Sequence, residues 1–97
     1  MKDNVVKDKS LEFAVRIVNL YKFLVNEQKE FVMSKQILRS GTSIGANIRE
    51  AEQAQSRADF INKLNIALKE ANETEYWLEL LIRTEYITRE QYESINN

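Results

Sequence analysis

The chain has 97 residues, with no cysteine, no histidine, no proline and only two glycines, and its 14 basic residues are balanced by 15 acidic ones. That length makes one domain. The missing cysteines exclude disulfides and thiol chemistry, and the even charge excludes a strongly basic nucleic-acid binder, leaving at most a local basic patch. With 43% apolar and 30% charged residues the composition is that of a folded domain, and so little glycine and proline favours helix throughout.

Residues 1–9 carry Lys2, Lys7 and Lys9 against Asp3 and Asp8, with only Val5 and Val6 to bury, so they read as a flexible N-terminal tail ahead of a helical bundle domain over 10–97. Ser10 can cap a first helix running to about Glu27. The polar stretch 26–30 reads as a connection. A second helix is expected from about Val32 to Ala54, where Ile37, Gly41, Ile44, Ile48 and Ala51 repeat at helical spacing. Ser56 with Asp59 resembles a capping box and starts a third helix to about Thr84, with a stripe of Phe60, Leu64, Ala67, Ala71, Leu78 and Ile82. Thr88 with Gln91 repeats the capping pattern and opens a fourth helix, which holds only Tyr92 and Ile95 before Asn97.

The expected fold is therefore all-α: an antiparallel up-down-up-down four-helix bundle whose fourth helix is truncated. Its core should come from Val18, Ile37, Ile44, Ile48, Phe60, Leu64, Leu68, Ala71, Leu78 and Ile82. Two helices carry more apolar surface than one core needs. In the first, polar residues occupy only about a third of the circumference. In the third, Tyr76, Trp77, Leu80 and Leu81 lie away from the buried stripe, making them candidates for an oligomer interface.

Catalytic and metal chemistry find no support. Di-iron bundles use Glu-x-x-His pairs, and this chain has no histidine. Glu70, Glu73 and Glu79 lie on the polar side of the third helix and read as a solvated face. Ser40, Thr42 and Ser43 sit near Lys35 and Arg39, but small residues in a helix more simply admit a close neighbour. The expectation is a non-enzyme with no cofactor and no metal. Met1-Lys2-Asp3-Asn4 is mixed in charge, and no apolar run follows that could serve as a signal peptide or span a membrane, which makes the cytoplasm the expected location.

The distinctive run is Lys35-Gln36-Ile37-Leu38-Arg39-Ser40-Gly41-Thr42-Ser43-Ile44-Gly45-Ala46-Asn47-Ile48-Arg49-Glu50-Ala51-Glu52. Its two glycines each cost about 1 kcal/mol of helix propensity relative to alanine, which close packing commonly offsets. Asn47 lies near Ile44 and Ile48 on the helical wheel, and if partly buried it needs hydrogen-bond partners.

The core Ser43-Ile44-Gly45-Ala46-Asn47-Ile48, followed by Arg49-Glu50-Ala51, the Ser56–Phe60 helix start and the stretch from Ala67-Leu68-Lys69-Glu70-Ala71 to Tyr76-Trp77-Leu78, resembles the bacterial four-helix-bundle family named for proteins encoded in 23S ribosomal RNA intervening sequences. The same family includes the accessory protein of diversity-generating retroelements. The likeness covers residues from about 11 to 95. It marks Gly41, Ser43, Gly45, Asn47 and Glu50 as the family's helix-packing motif, and it implies an up-down-up-down bundle assembling into a ring-like homopentamer.

The functional expectation is a homo-oligomeric scaffold or adaptor that binds a protein or ribonucleoprotein partner. The alternative is a direct, weakly specific RNA- or DNA-binding module. Its candidate contacts are Lys35, Arg39, Arg49, Arg57 and Lys63, multiplied by oligomerisation so that weak phosphate contacts sum.

Overall fold

A computed structural model of the chain describes residues 5–96. Among them are four helices and no strand: α1 Val5–Asn26, α2 Met33–Glu52, α3 Arg57–Arg83 and α4 Arg89–Asn96. The described residues are thus all-α, as their composition and spacing lead one to expect, and α4 is short.

The ends of α2, α3 and α4 follow from local side-chain chemistry. The carboxylate of Glu30 accepts from the backbone N–H groups of Val32, Met33 and Ser34 at 3.2, 2.9 and 2.7 Å. It places a negative charge at the positive end of α2, and Glu30 is itself buried. Ser56 caps α3 by accepting from the Asp59 N–H at 3.0 Å. Thr88 and Gln91 form a reciprocal capping box: the Gln91 N–H donates to the Thr88 hydroxyl at 3.1 Å, and the Thr88 N–H to the Gln91 side chain at 2.8 Å.

The start of α1 differs from the sequence reading. Ser10 is no cap. It is buried five residues into the helix, and its hydroxyl donates to the Lys7 carbonyl at 2.8 Å. Residues 5–9 of the expected tail form the first turn, with Lys7 tied to Glu52 of α2 at 3.7 Å; residues 1–4 lie outside the described residues. The turns after α1 and α3 pass through left-handed backbone at Lys29 (φ 54°) and Glu85 (φ 69°). Helices commonly end on glycine at such positions, yet both glycines of this chain sit inside α2.

α2 lies between α1 and α3, while α4 touches α1 and α3. Ile17 faces Gly41 and Ser10 faces Gly45, and across the other side Thr74 meets Ser40 and Lys63 meets Glu50, so both sets of pairings run in opposite senses along the chain. The molecule is elongated, at 43 × 22 × 19 Å.

The core comprises Ile17, Leu20, Leu24, Ile37, Leu78, Leu81, Ile87 and Ile95, with Phe13, Phe23, Met33, Leu38, Trp77, Ile82, Tyr86 and Tyr92 packed around it. It is gathered in the half of the bundle that α4 covers. Past Asn96 the described residues supply three helices, α1, α2 and α3. There the sequence-derived core is corrected: Phe60, Leu64 and Leu68 are exposed, Leu68 to 61%, and Val18, Ile44, Ile48 and Ala71 are only partly buried. Ile37, Leu78 and Ile82 hold their assigned places.

Candidate functional site

The run from Lys35 to Glu52 forms nearly the whole of α2, and its two sides do different work. Toward α1 it is a close-contact seam. A Cβ built on Gly41 would lie 2.8 Å from both Cγ1 and Cγ2 of Ile17, closer than real side chains approach. One built on Gly45 would lie 3.2 Å from the Ser10 hydroxyl oxygen. Gly41 therefore has no room for a side chain, and Gly45 very little.

Toward α3 the seam is polar. Ser40 and Thr74 are both buried, and the Thr74 hydroxyl lies 2.9 Å from that of Ser40 and 2.8 Å from the Glu70 carbonyl. The small polar residues also bond back along their own helix. The hydroxyls of Thr42 and Ser43 donate to the Leu38 and Arg39 carbonyls at 2.7 and 2.6 Å, and the Asn47 amide donates to the Ser43 carbonyl at 2.9 Å. The half-buried Asn47 thus finds its partner within one turn.

The candidate cations fall into two groups. Arg39 bridges α2 to α3, pairing with Glu70 at 3.2 Å and with Glu73 at 2.5 Å, and Glu73 also accepts from the Trp77 indole N–H at 3.0 Å. These two donors hold the Glu73 carboxyl below the usual carboxylate range, the Arg39 hydrogen bond contributing most, and Glu73 in turn raises the Arg39 pKa. Lys63 pairs with Glu50 at 2.9 Å, and that hydrogen bond raises its pKa. Lys35, Arg49 and Arg57 are exposed and make no ion pair among the described residues. The five cations spread over α2 and α3, and two of them, Arg39 and Lys63, are paired across the two helices.

The candidate interface cluster also divides. Leu81 is fully buried in the core, which corrects its assignment to the surface. Trp77 is half-buried against that core, Leu80 is half-buried, and Tyr76 is 59% exposed with its ring edge-on to Trp77 at 5.1 Å.

The larger unpartnered apolar surface lies elsewhere. Ser10 and Phe13 of α1, Ile44 of α2, Ala71, Thr74 and Glu75 of α3, and Asn96 of α4 line an open groove of about 270 Å³. Phe60, Ile61, Leu64 and Leu68 carry exposed apolar surface along the N-terminal half of α3, and Leu11 and Val15 along α1. A shallower groove of about 610 Å³ between α1 and α4 is lined by Arg16, Leu20, Phe23, Glu90 and Ile95, and the Arg16 guanidinium spans it to the Ile95 carbonyl at 3.4 Å. Among the described residues no cluster of three or more acidic residues could hold a metal ion, and no helix is long and apolar enough to cross a membrane.

A search of functionally curated proteins found no match. Among solved structures, the chain is similar to a crystallised protein of unknown function from the S23 ribosomal protein family of Bacteroides thetaiotaomicron. The two are 98% identical with a TM-score of 0.92, over 100% of this chain and 83% of that one. The profile of the 23S rRNA-intervening sequence proteins matches residues 2–97, and the chain belongs to that family.

Proposed function

We propose that the protein is a non-enzymatic, homo-oligomeric scaffold of the cytoplasm, an antiparallel up-down-up-down bundle that binds a protein or ribonucleoprotein partner. The observation that carries this reading is the exposed apolar surface of Phe60, Ile61, Leu64 and Leu68 on a 97-residue domain. Contiguous apolar patches on small proteins mark contacts, and burying each large side chain contributes about 1.5–3 kcal/mol. A ribonucleoprotein partner is supported by the names of the family and of the solved relative, which refer to 23S rRNA and to ribosomal proteins.

Light scattering at micromolar concentration, alone and with added RNA, tests the reading. An oligomeric mass with weak, salt-labile RNA binding supports it. A monomer refutes the scaffold, and tight RNA binding at physiological salt replaces it with the direct nucleic-acid module. In that case Lys35, Arg49 and Arg57 are the contacts to mutate first, because Arg39 and Lys63 are engaged with carboxylates.

A further inference from the structure

α1 carries more apolar circumference than the bundle uses, and the surplus lies on the side turned away from α4. Ser10 and Ile17 meet the glycines of α2, while Phe13, Arg16, Leu20 and Phe23 line the grooves shared with α4. Leu11, Ala14, Val18, Tyr21 and Val25 occupy the remaining arc, at spacings of three, four, three and four. At 100° per residue they form a stripe about 80° wide, the a/d pattern with which one helix receives another. Leu11 is 49% exposed, and the other four are half-buried. None of the five lines either groove that α4 borders.

The charges around this stripe have one sign. In α1 the charged residues within about 60° of its centre are Lys7, which is paired with Glu52, and Lys22, which is exposed. On α2, Ser40 turns to α3 while Gly41 and Gly45 turn to α1, which leaves Leu38 and Thr42 beside the stripe and Lys35 and Arg49 on its rim. Lys22, Lys35 and Arg49 make no ion pair among the described residues, whereas the acidic residues at the end of α2, Glu50 and Glu52, are engaged by Lys63 and Lys7.

An apolar floor about four turns long, rimmed by three unpaired cations, is complementary to an amphipathic helix with acidic flanks. Single-stranded RNA matches it less well. The floor is aliphatic apart from the half-buried Tyr21, and base stacking needs exposed aromatic faces. A second copy of the chain is also a poorer match. An α1 laid antiparallel, with Leu11 against Tyr21 and Ala14 against Val18, sets Lys35 of each copy level with Arg49 of the other, which like-charge repulsion disfavours.

We infer that the α1 stripe and its rim of Lys22, Lys35 and Arg49 receive an acidic amphipathic helix of a partner protein. The inference rests on the partner binding proposed above and states the chemistry of that partner.

A synthetic amphipathic helix of about three heptads, with leucine at a and d and glutamate at e and g, tests it against a twin that carries lysine at e and g. In fluorescence anisotropy near physiological salt, the acidic helix should bind at least about tenfold more tightly than the basic one. Lys22→Glu, Lys35→Glu and Arg49→Glu combined, all at exposed positions, should leave the melting temperature in place and reverse that order. Leu11→Gln should weaken the acidic helix without creating a preference for the basic one. Equal binding of the two helices, or an unchanged order in the triple variant, overturns the inference. Tighter binding of a single-stranded RNA of equal charge also overturns it and assigns the face to nucleic acid. If Leu11→Gln lowers the mass measured by light scattering, a second copy fills the face, which overturns the inference and leaves homo-oligomerisation standing. A monomer that prefers the acidic helix does the reverse.

Discussion

Adding a single methyl group at Gly41 or at Gly45 should have opposite consequences, and the contrast measures how tightly α1 and α2 are clamped. Replacing a helical glycine by alanine stabilises by about 1 kcal/mol when the new methyl meets open space. At Gly41 it meets two Ile17 carbons at 2.8 Å and a third at 3.2 Å. Ile17 is fully buried, and its β-branched side chain is confined to one preferred χ1 rotamer in a helix, so relieving the clash means moving one helix away from the other. Overpacking of this kind costs about 1–3 kcal/mol, so Gly41→Ala should be net destabilising by up to about 2 kcal/mol. At Gly45 the nearest atom is the Ser10 hydroxyl oxygen at 3.2 Å, a rotatable group, and Gly45→Ala should fall within about 0.5 kcal/mol of neutral or stabilise slightly. Urea unfolding followed by the fluorescence of Trp77, at one fixed protein concentration, gives both values. A double-mutant cycle sharpens the test: Ile17→Ala alone should cost about 2–5 kcal/mol, and combining it with Gly41→Ala should cost clearly less than the sum, because the methyl then enters the space vacated. If Gly41→Ala stabilises by the full propensity gain, or the cycle is additive, the clamp does not exist.

Other substitutions probe the remaining joints. Leu78→Ala, at a fully buried site, should destabilise by about 2–5 kcal/mol, whereas Leu68→Ala should cost under about 1 kcal/mol in the dilute monomer. Glu30→Ala removes the acceptor of three N–H groups at the start of α2 and should cost about 1–2 kcal/mol in the same urea assay. Lys29→Gly should stabilise by a few tenths to about 1 kcal/mol, because the left-handed turn it occupies disfavours any residue with a Cβ. The depressed Glu73 pKa predicts a pH effect: the Arg39–Glu73 pair contributes fully above the unfolded glutamate pKa, near 4.3, and its contribution is lost as pH falls through the lower folded value. The pair is half-exposed, so the effect should stay below about 1 kcal/mol, and Arg39→Ala should flatten the stability profile below about pH 5.

Legibility in the sequence followed the range of the interaction. The Ser56 and Thr88 caps were readable because a cap joins residues three positions apart, so the sequence contains the whole interaction. The glycines of α2 were readable as a close-packing device because no other use explains two glycines inside one helix. What could not be read was the neighbour: Ile17 and Ser10 are recognisable as the opposing atoms only once α1 lies across α2. The same holds for Arg39. Its charge suggested phosphate, but its actual partners, Glu70 and Glu73, come from a helix about thirty residues further on. Ser10 misled for a local reason. A serine ahead of an apolar run reads as a cap, yet its hydroxyl bonds back to Lys7 as it would anywhere inside a helix.

The stripe of α3 shows why periodicity alone misassigns a core. Phe60, Leu64, Ala71, Leu78 and Ile82 share one face of one helix, and nothing in their spacing separates the first pair from the last. The difference comes from the described residues of α4, Arg89–Asn96, which bring Tyr92 and Ile95 against the second half of that face. Leu78 lies under that cover and is fully buried, while Leu64, four turns earlier, lies past the described residues of α4 and is 38% exposed. Burying such a side chain completely is worth about 1.5–3 kcal/mol, so Leu78 draws nearly all of that from the fold, whereas the part-exposed Leu64 and Leu68 draw only a share of it.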